Sequence, residues 1–269
     1  MNVSDFFRQT KNATEELFDW RVAAASVRGR GHEKVGQLCQ DAHFWKKLAE
    51  GILVAAVADG AGSASLGKIG ALVAVQTAVE TICSQTITPR SPADDDHWRI
   101  LLNEALAAAK TTVEAEAAAC QVAPRDLATT LIVAIATPEF VAVAQIGDGV
   151  AVVSDRQGNL IPLTTPQYGE YINETTFLIS PQALDTAQIT VWRGTTAKIA
   201  LLSDGLQMLA LEMDRGKPYE PFFAPLFHFV THIKDESEAK DQLVAFLRSP
   251  RIAERTDDDL TLLLGTIVS

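Results

Sequence analysis

The stretch LATTLIVAIATPEFVAVAQIGDGVAVVSD, residues 127–155, decides the fold. It holds three apolar runs, LATTLIVAIA (127–136), FVAVAQI (140–146) and VAVVS (150–154), parted only by Thr137-Pro138-Glu139 and Gly147-Asp148-Gly149. Each run has strand length and is rich in β-branched residues. Connections of three residues cannot carry a parallel crossover, so the three runs are expected to form an antiparallel meander. A doubly wound nucleotide-binding fold is excluded here.

The same reading extends outward. ILVAAVA (52–58) is a short apolar run that stops at Asp59-Gly60, KIALLS (198–203) stops at Asp204-Gly205, and Leu260 to Val268 opens after Asp257-Asp258-Asp259. Between the strands, 67–83 and the Ala-rich stretch 98–121 carry helical spacing, as do 221–232 and 236–248. Residues 156–186, with Pro162, Pro166 and Gly169, read as an irregular, flap-like excursion. Strands and helices in blocks make an α+β pattern: two antiparallel β-sheets packed as a central sandwich flanked by helices. One domain over 1–269 is expected, with 1–20 as an N-terminal extension.

The composition fits a globular chain with a sizeable core: 47% hydrophobic and 21% charged residues. A net charge of −11 with no Lys/Arg run gives no footprint for nucleic acid or an anionic membrane. No apolar run approaches the roughly 20 residues of a membrane span, and the acidic first 20 residues do not read as a signal peptide. Cys39, Cys83 and Cys120 are odd in number and widely spaced, which argues against a disulfide framework or zinc site and for a reduced, cytoplasmic setting.

Asp59, Asp148 and Asp204 each follow an apolar strand and precede glycine, and Asp258 sits just before one. If those strands are neighbours, four carboxylates converge on one rim, where their repulsion calls for cations. Carboxylate, backbone carbonyl and water are hard ligands that favour Mg²⁺ or Mn²⁺. The glycine after Asp59 lets its own carbonyl approach a metal. Each aspartate alone has a plainer reading: Gly147-Asp148-Gly149 suits a tight hairpin turn, Asp204 a helix cap, and 257–259 a solvated acidic turn.

The ordered set Gln40-Asp41, Ala58-Asp59-Gly60-Ala61-Gly62-Ser63, Thr129-Thr130, Gly147-Asp148-Gly149, Ser203-Asp204-Gly205 and Asp258-Asp259-Leu260-Thr261 resembles the motifs of the metal-dependent protein phosphatases of the 2C type, in their bacterial branch, over about residues 22–268. The resemblance implies a serine/threonine protein phosphatase that hydrolyses phosphoesters with a water activated by two Mg²⁺ or Mn²⁺ ions. Asp59 would bridge them, with the Gly60 carbonyl on one and Asp204 and Asp258 on the other. Asp148 matches the position of a third, weaker ion, and Asp41 is the expected ligand where Gln40 replaces glutamate. The implied partners are a phosphorylated protein and a cognate Ser/Thr kinase.

Two departures stand out. Ala61 occupies the place of a histidine proposed as general acid in animal members, and Gly36 that of a phosphate-binding arginine. Arg30 and His32 are the candidates to bind phosphate instead, with Arg28 and Lys34 more plausibly solvated. These gaps motivate an alternative: a catalytically weak or inactive regulatory binding protein with the same fold. A hydrolase of small-molecule phosphates is a third reading. The stretch Gly169 to Thr175 resembles a segment of one bacterial branch, placed where others carry a flap. No G-x-S-x-G elbow or C-x₅-R loop supplies a side-chain nucleophile, and Ser203 lacks a nearby activating histidine and reads as structural.

Overall fold

The computed structural model describes residues 18–85, 94–167 and 175–268. In chain order the elements are β1 (Asp19–Val27), α1 (Arg30–Val35), β2 (Ala42–Leu48), β3 (Ile52–Ala58), α2 (Gly67–Cys83), α3 (Asp95–Ala119), β4 (Leu131–Ala136), β5 (Phe140–Ile146), β6 (Val150–Asp155), β7 (Leu160–Pro162), β8 (Gln188–Arg193) and β9 (Thr196–Leu202). After them come α4 (Gln207–Ala210), β10 (Leu211–Glu212), β11 (Lys217–Pro218), α5 (Glu220–His232), α6 (Glu236–Leu247), α7 (Pro250–Ala253) and β12 (Leu260–Val268). One five-stranded sheet runs β1-β12-β9-β6-β7 and the other β2-β3-β4-β5-β8, with every pairing antiparallel.

The period-2 pattern explains the layers. On β3, Leu53, Ala55 and Val57 pack between the sheets with Ile199, Leu201 and Leu263, while Ile52, Val54 and Ala56 turn outward to α2 and α3. On β9, Ala200 and Leu202 face the opposite way, toward Phe223, Phe227 and Leu243 of α5 and α6. Both faces of the central strands are therefore covered, which is why ILVAAVA and LIVAIA are apolar throughout. Small residues on the outer pair of helices, Ala71, Ala74 and Ala78 on α2 and Ala105 and Ala109 on α3, let them lie close to the sheet.

The meander expected over 127–155 is corrected. β4 and β5 do form a hairpin, but β6 leaves their sheet and pairs with β7 and β9 of the other one. Gly147-Asp148-Gly149 is thus a crossing between sheets, not a hairpin turn. The crossing needs a backbone no side chain favours, with Gly147 at φ 109°. Residues 156–186 are less irregular than expected, since β7 lies inside them. β1 starts at Asp19, inside the stretch read as an extension; residues 1–17 lie outside the described ones, as do Gly169 to Glu174 of the flap-like segment.

Candidate active site

Register brings the aspartates together. Ala42 of β2 lies opposite Ala58 of β3, so Asp41 and Asp59, one residue beyond each, share a sheet edge. In the other sheet Leu202 of β9 pairs with both Leu262 of β12 and Val150 of β6, which places Asp204, Asp258 and Asp148 at one end. The crossing at 147–149 joins that end to the first sheet. The rim is therefore a product of antiparallel pairing, with each ligand candidate fixed by the strand it ends or precedes.

Asp59 is held by its backbone: its N–H donates to Thr130 Oγ1 at 3.0 Å, and its carbonyl accepts from Thr130 N–H at 2.8 Å and Thr129 Oγ1 at 2.9 Å. Asp41, 5% exposed, accepts from Ser203 Oγ at 2.8 Å, and the same Oγ accepts from Thr261 N–H at 2.9 Å. Ser203 is structural, as its sequence context suggests. Ser203→Ala strips that bridge and leaves the buried Thr261 N–H unpaired. A loss of about 1–3 kcal/mol is expected, read as a lower urea midpoint at unchanged m-value.

A second chain of hydroxyls reaches the site from behind. Thr261 is met there by Ser26: Thr261 Oγ1 donates to Ser26 Oγ at 2.6 Å, and Ser26 Oγ lies 2.8 Å from His43 Nδ1. Burial pushes the His43 imidazole down to about 4, so at neutral pH it is an uncharged hydrogen-bonding group. His97, by contrast, stacks edge-on against Trp98, and His228 and His232 stack on each other on α5.

The carboxyl groups feel one another strongly. Burial first, then the charges of Asp41, Asp204 and Asp258, push Asp59 well above the usual carboxylate range. Burial pushes Asp41 up to about 7 against hydrogen bonds with Asp59, Ser203 and Thr261 that pull it down. Asp204 also rises to about 7, through burial and then the charges of Asp148 and Asp258. Asp148 and Asp258 are raised too, burial leading in both. Asp148 Oδ2 accepts from Thr175 Oγ1 at 2.7 Å and its carbonyl from Gln207 Nε2 at 3.1 Å.

The donor set fits hard divalent cations. Asp41 Oδ1 and Asp204 Oδ1 are buried with no hydrogen-bond partner, a costly state for carboxylate oxygens unless a cation meets them. Among the described residues no three His, Cys, Asp or Glu side chains already surround one point as a closed cage. The orphaned oxygens and the mutual repulsion carry the fit.

Gln40, Gly36 and Ala61 each have a local cause. With its amide nitrogen turned inward, Gln40 donates to the carbonyls of Gly60 at 3.0 Å and Ala61 at 2.8 Å, which a glutamate would repel. Gly36 ends α1 in the left-handed region at φ 72°, where an arginine would be strained. The short helix it closes carries His32, whose Nδ1 lies 2.9 Å from Asp259 Oδ2. Asp259 is 1% exposed and also accepts from the N–H groups of Gly29 and Gln40, both at 2.6 Å. Ala61 packs with Ala64 and Ala128 against Phe177, so an apolar patch replaces a histidine there.

Of the remaining loop candidates, Arg30 is exposed and donates to the Ala253 carbonyl at 3.4 Å. Arg28 lies 3.6 Å from Glu33 and Lys34 3.3 Å from Asp257, both solvated. The Asp259–His32 contact was beyond reach of sequence spacing, because the partners stand 227 residues apart.

The family model described as "Protein phosphatase 2C" matches residues 28–248. The chain is 36% identical over 252 residues to serine/threonine-protein phosphatase 3 of Escherichia coli K12, covering 91% of this chain and 98% of that protein. Among solved structures, the catalytic domain of the serine/threonine protein phosphatase PstP, in complex with two manganese ions, superposes with a TM-score of 0.63 at 18% identity, covering 94% of this chain and 100% of that one. The serine/threonine phosphatase Stp1 of Staphylococcus aureus gives 0.62 at 13% identity, covering 92% and 95%.

Proposed function

The chain belongs to the protein phosphatase 2C family, and on that premise we propose that its aspartate rim is where it hydrolyses serine and threonine phosphoesters of proteins. The activity is that of a metal-dependent serine/threonine protein phosphatase, and the E. coli relative bears the name of a serine/threonine-protein phosphatase. The observation that supports the location is the meeting of Asp41, Asp59, Asp148, Asp204 and Asp258 on one rim with two buried carboxylate oxygens left unpaired.

We assign Asp59, which lies between Asp41 and Asp204 in the electrostatic network, to both of two Mg²⁺ or Mn²⁺ ions. Asp41 and the Gly60 carbonyl would hold one, Asp204 and Asp258 the other, and Asp148 would hold a third, weaker ion. When bound, such ions lower the pKa of a water so that it attacks phosphorus at neutral pH, and they offset phosphoryl charge. The chain's own residues supply the rest. Thr129 and Thr130 fix the Asp59 backbone, and Ser203 fixes Asp41.

His32 and Arg30 are the loop's groups for the phosphoryl oxygens, and His32 is the better held. With Nδ1–H donating to Asp259, the imidazolium form of His32 has Nε2–H left to donate to a phosphate oxygen. His32→Ala is expected to lower kcat/KM for a phosphopeptide about 10- to 100-fold, chiefly through KM. Asp259→Asn should give part of that loss, measured alongside circular dichroism to establish a native fold.

The substrate is a phosphoprotein, with a Ser/Thr kinase as the implied counterpart. Three free cysteines favour a cytoplasmic setting, and no described helix is long and apolar enough to cross a membrane. Turnover of a phosphothreonine peptide against a panel of small phosphate esters, with Mn²⁺ and with chelator, tests the reading. Chelator-resistant hydrolysis, or hydrolysis confined to small metabolite-like esters, would defeat it.

A further inference from the structure

A cavity of about 170 Å³ is lined by the apolar Val27, Leu247 and Leu260, by Arg28, Arg30 and Arg248, and by the carboxylates Glu33 and Asp258. The arginines come from distant parts of the chain: Arg28 and Arg30 from the turn into α1, Arg248 from the end of α6. Three guanidinium groups and two carboxylates line the cavity, which leaves one positive charge in surplus. Arg28 has Glu33 at 3.6 Å in solvent and donates to the Gln37 carbonyl, and Arg30 donates to the Ala253 carbonyl. The Arg248 side chain has no partner among the described residues.

This concentration of cations runs against the rest of the molecule. The chain carries 34 acidic and 23 basic side chains, and the cavity shares Asp258 with a rim of five aspartates. An acidic substrate segment would be repelled by both. With Arg30 assigned to the phosphoryl oxygens, Arg28 and Arg248 supply forked donors for a carboxylate or phosphate in the same cavity, beside Asp258 of the rim. Neighbouring apolar floor residues would take the methylene stem of such a group.

We propose that this cavity is a substrate subsite for an anionic group flanking the phosphorylated residue, so that the enzyme prefers acidic phosphosites. The proposal rests on placing the phosphoester at the aspartate rim. The group bound is a carboxylate or a second phosphate, two sources of one chemistry.

Three phosphothreonine peptides test it, identical except that the neighbours of the phosphothreonine are alanine, glutamate or phosphoserine. They are assayed with Mn²⁺ for kcat and KM, and their non-hydrolysable phosphonate counterparts by fluorescence anisotropy. The glutamate peptide is expected to exceed the alanine peptide by about tenfold in kcat/KM, through KM, with the gap shrinking in high salt. A further gain with phosphoserine identifies phosphate as the better ligand; glutamate leading identifies carboxylate. Arg248→Ala should erase most of the preference while leaving hydrolysis of a small aryl phosphate unchanged, and Arg28→Ala should weaken it.

Equal handling of the alanine and acidic peptides by the wild type overturns the subsite, as does a preference that survives in both arginine variants. Loss of all turnover would count against the aspartate rim instead. In that case the anisotropy series still decides the subsite, because it needs no hydrolysis.

Discussion

Asp59→Asn is expected to lower Mn²⁺-dependent kcat/KM for an aryl phosphate by at least about 10²–10³-fold, with the fold retained. Asparagine keeps the size of the side chain, and the Asp59 backbone is held by Thr129 and Thr130 whatever the side chain's charge. What is lost is the negative oxygen at the centre of the electrostatic network, in contact with Asp41 and within the field of Asp204 and Asp258. The same substitution relieves repulsion, so the metal-free variant should melt higher than the metal-free wild type. Asp204→Asn should behave alike, since its orphaned buried oxygen and its repulsion by Asp148 have the same origin. Full activity in both variants would remove the metal assignment.

The second large effect is on stability in chelator. Asp41 and Asp204 both sit near 7 in the folded chain against an ordinary carboxylate value of 3.8. A raised carboxylate pKa means the folded state holds protons that the unfolded state has already released. Stability is then highest where these groups are protonated and falls as pH rises from about 4 through about 7. His43 acts oppositely: its depressed pKa costs stability as pH falls below its ordinary 6.5. It is one group against several, so the carboxylates dominate between pH 6 and 8. The thermal midpoint in chelator should drop by on the order of 5 °C over that interval. Excess Mn²⁺ at pH 8 should restore it, because the cations take over the role of the protons. A midpoint that rises with pH in chelator would show that the rim does not carry the repulsion described.

The parts of the fold legible in the sequence were those with strict physical patterns. ILVAAVA, LIVAIA and FVAVAQI are buried on both faces, so composition alone marked them. β8, with the half-buried sequence QITVWR, and β2, AHFWKKL, mix polar and apolar residues at an edge and were not singled out. The sheet-to-sheet crossing at Gly147-Asp148-Gly149 was read as a hairpin because three residues suffice for either. Only the packing of Gly149 against Ile132 and the Leu202 carbonyl separates the two, and that contact joins distant segments.

The candidate site divides the same way. Aspartates at strand ends could be listed from the sequence, since a strand's end fixes where its next residue stands. Their supports could not. The Ser203 bridge between Asp41 and Thr261, and the grip of Asp259 on His32, depend on pairings between β2, β9 and β12 that only the folded register creates. Gly36 stands where the motif has an arginine; in the fold it is the left-handed cap of α1, the short helix that carries His32.

Calorimetric titration of Mn²⁺ into the chelator-stripped wild type and Asp59→Asn tests the central claim most directly. The account predicts two tight Mn²⁺ equivalents per wild-type chain, proton release on binding, and loss of at least one equivalent in the variant. Absence of Mn²⁺ binding by the wild type, or identical isotherms for the two proteins, would contradict it.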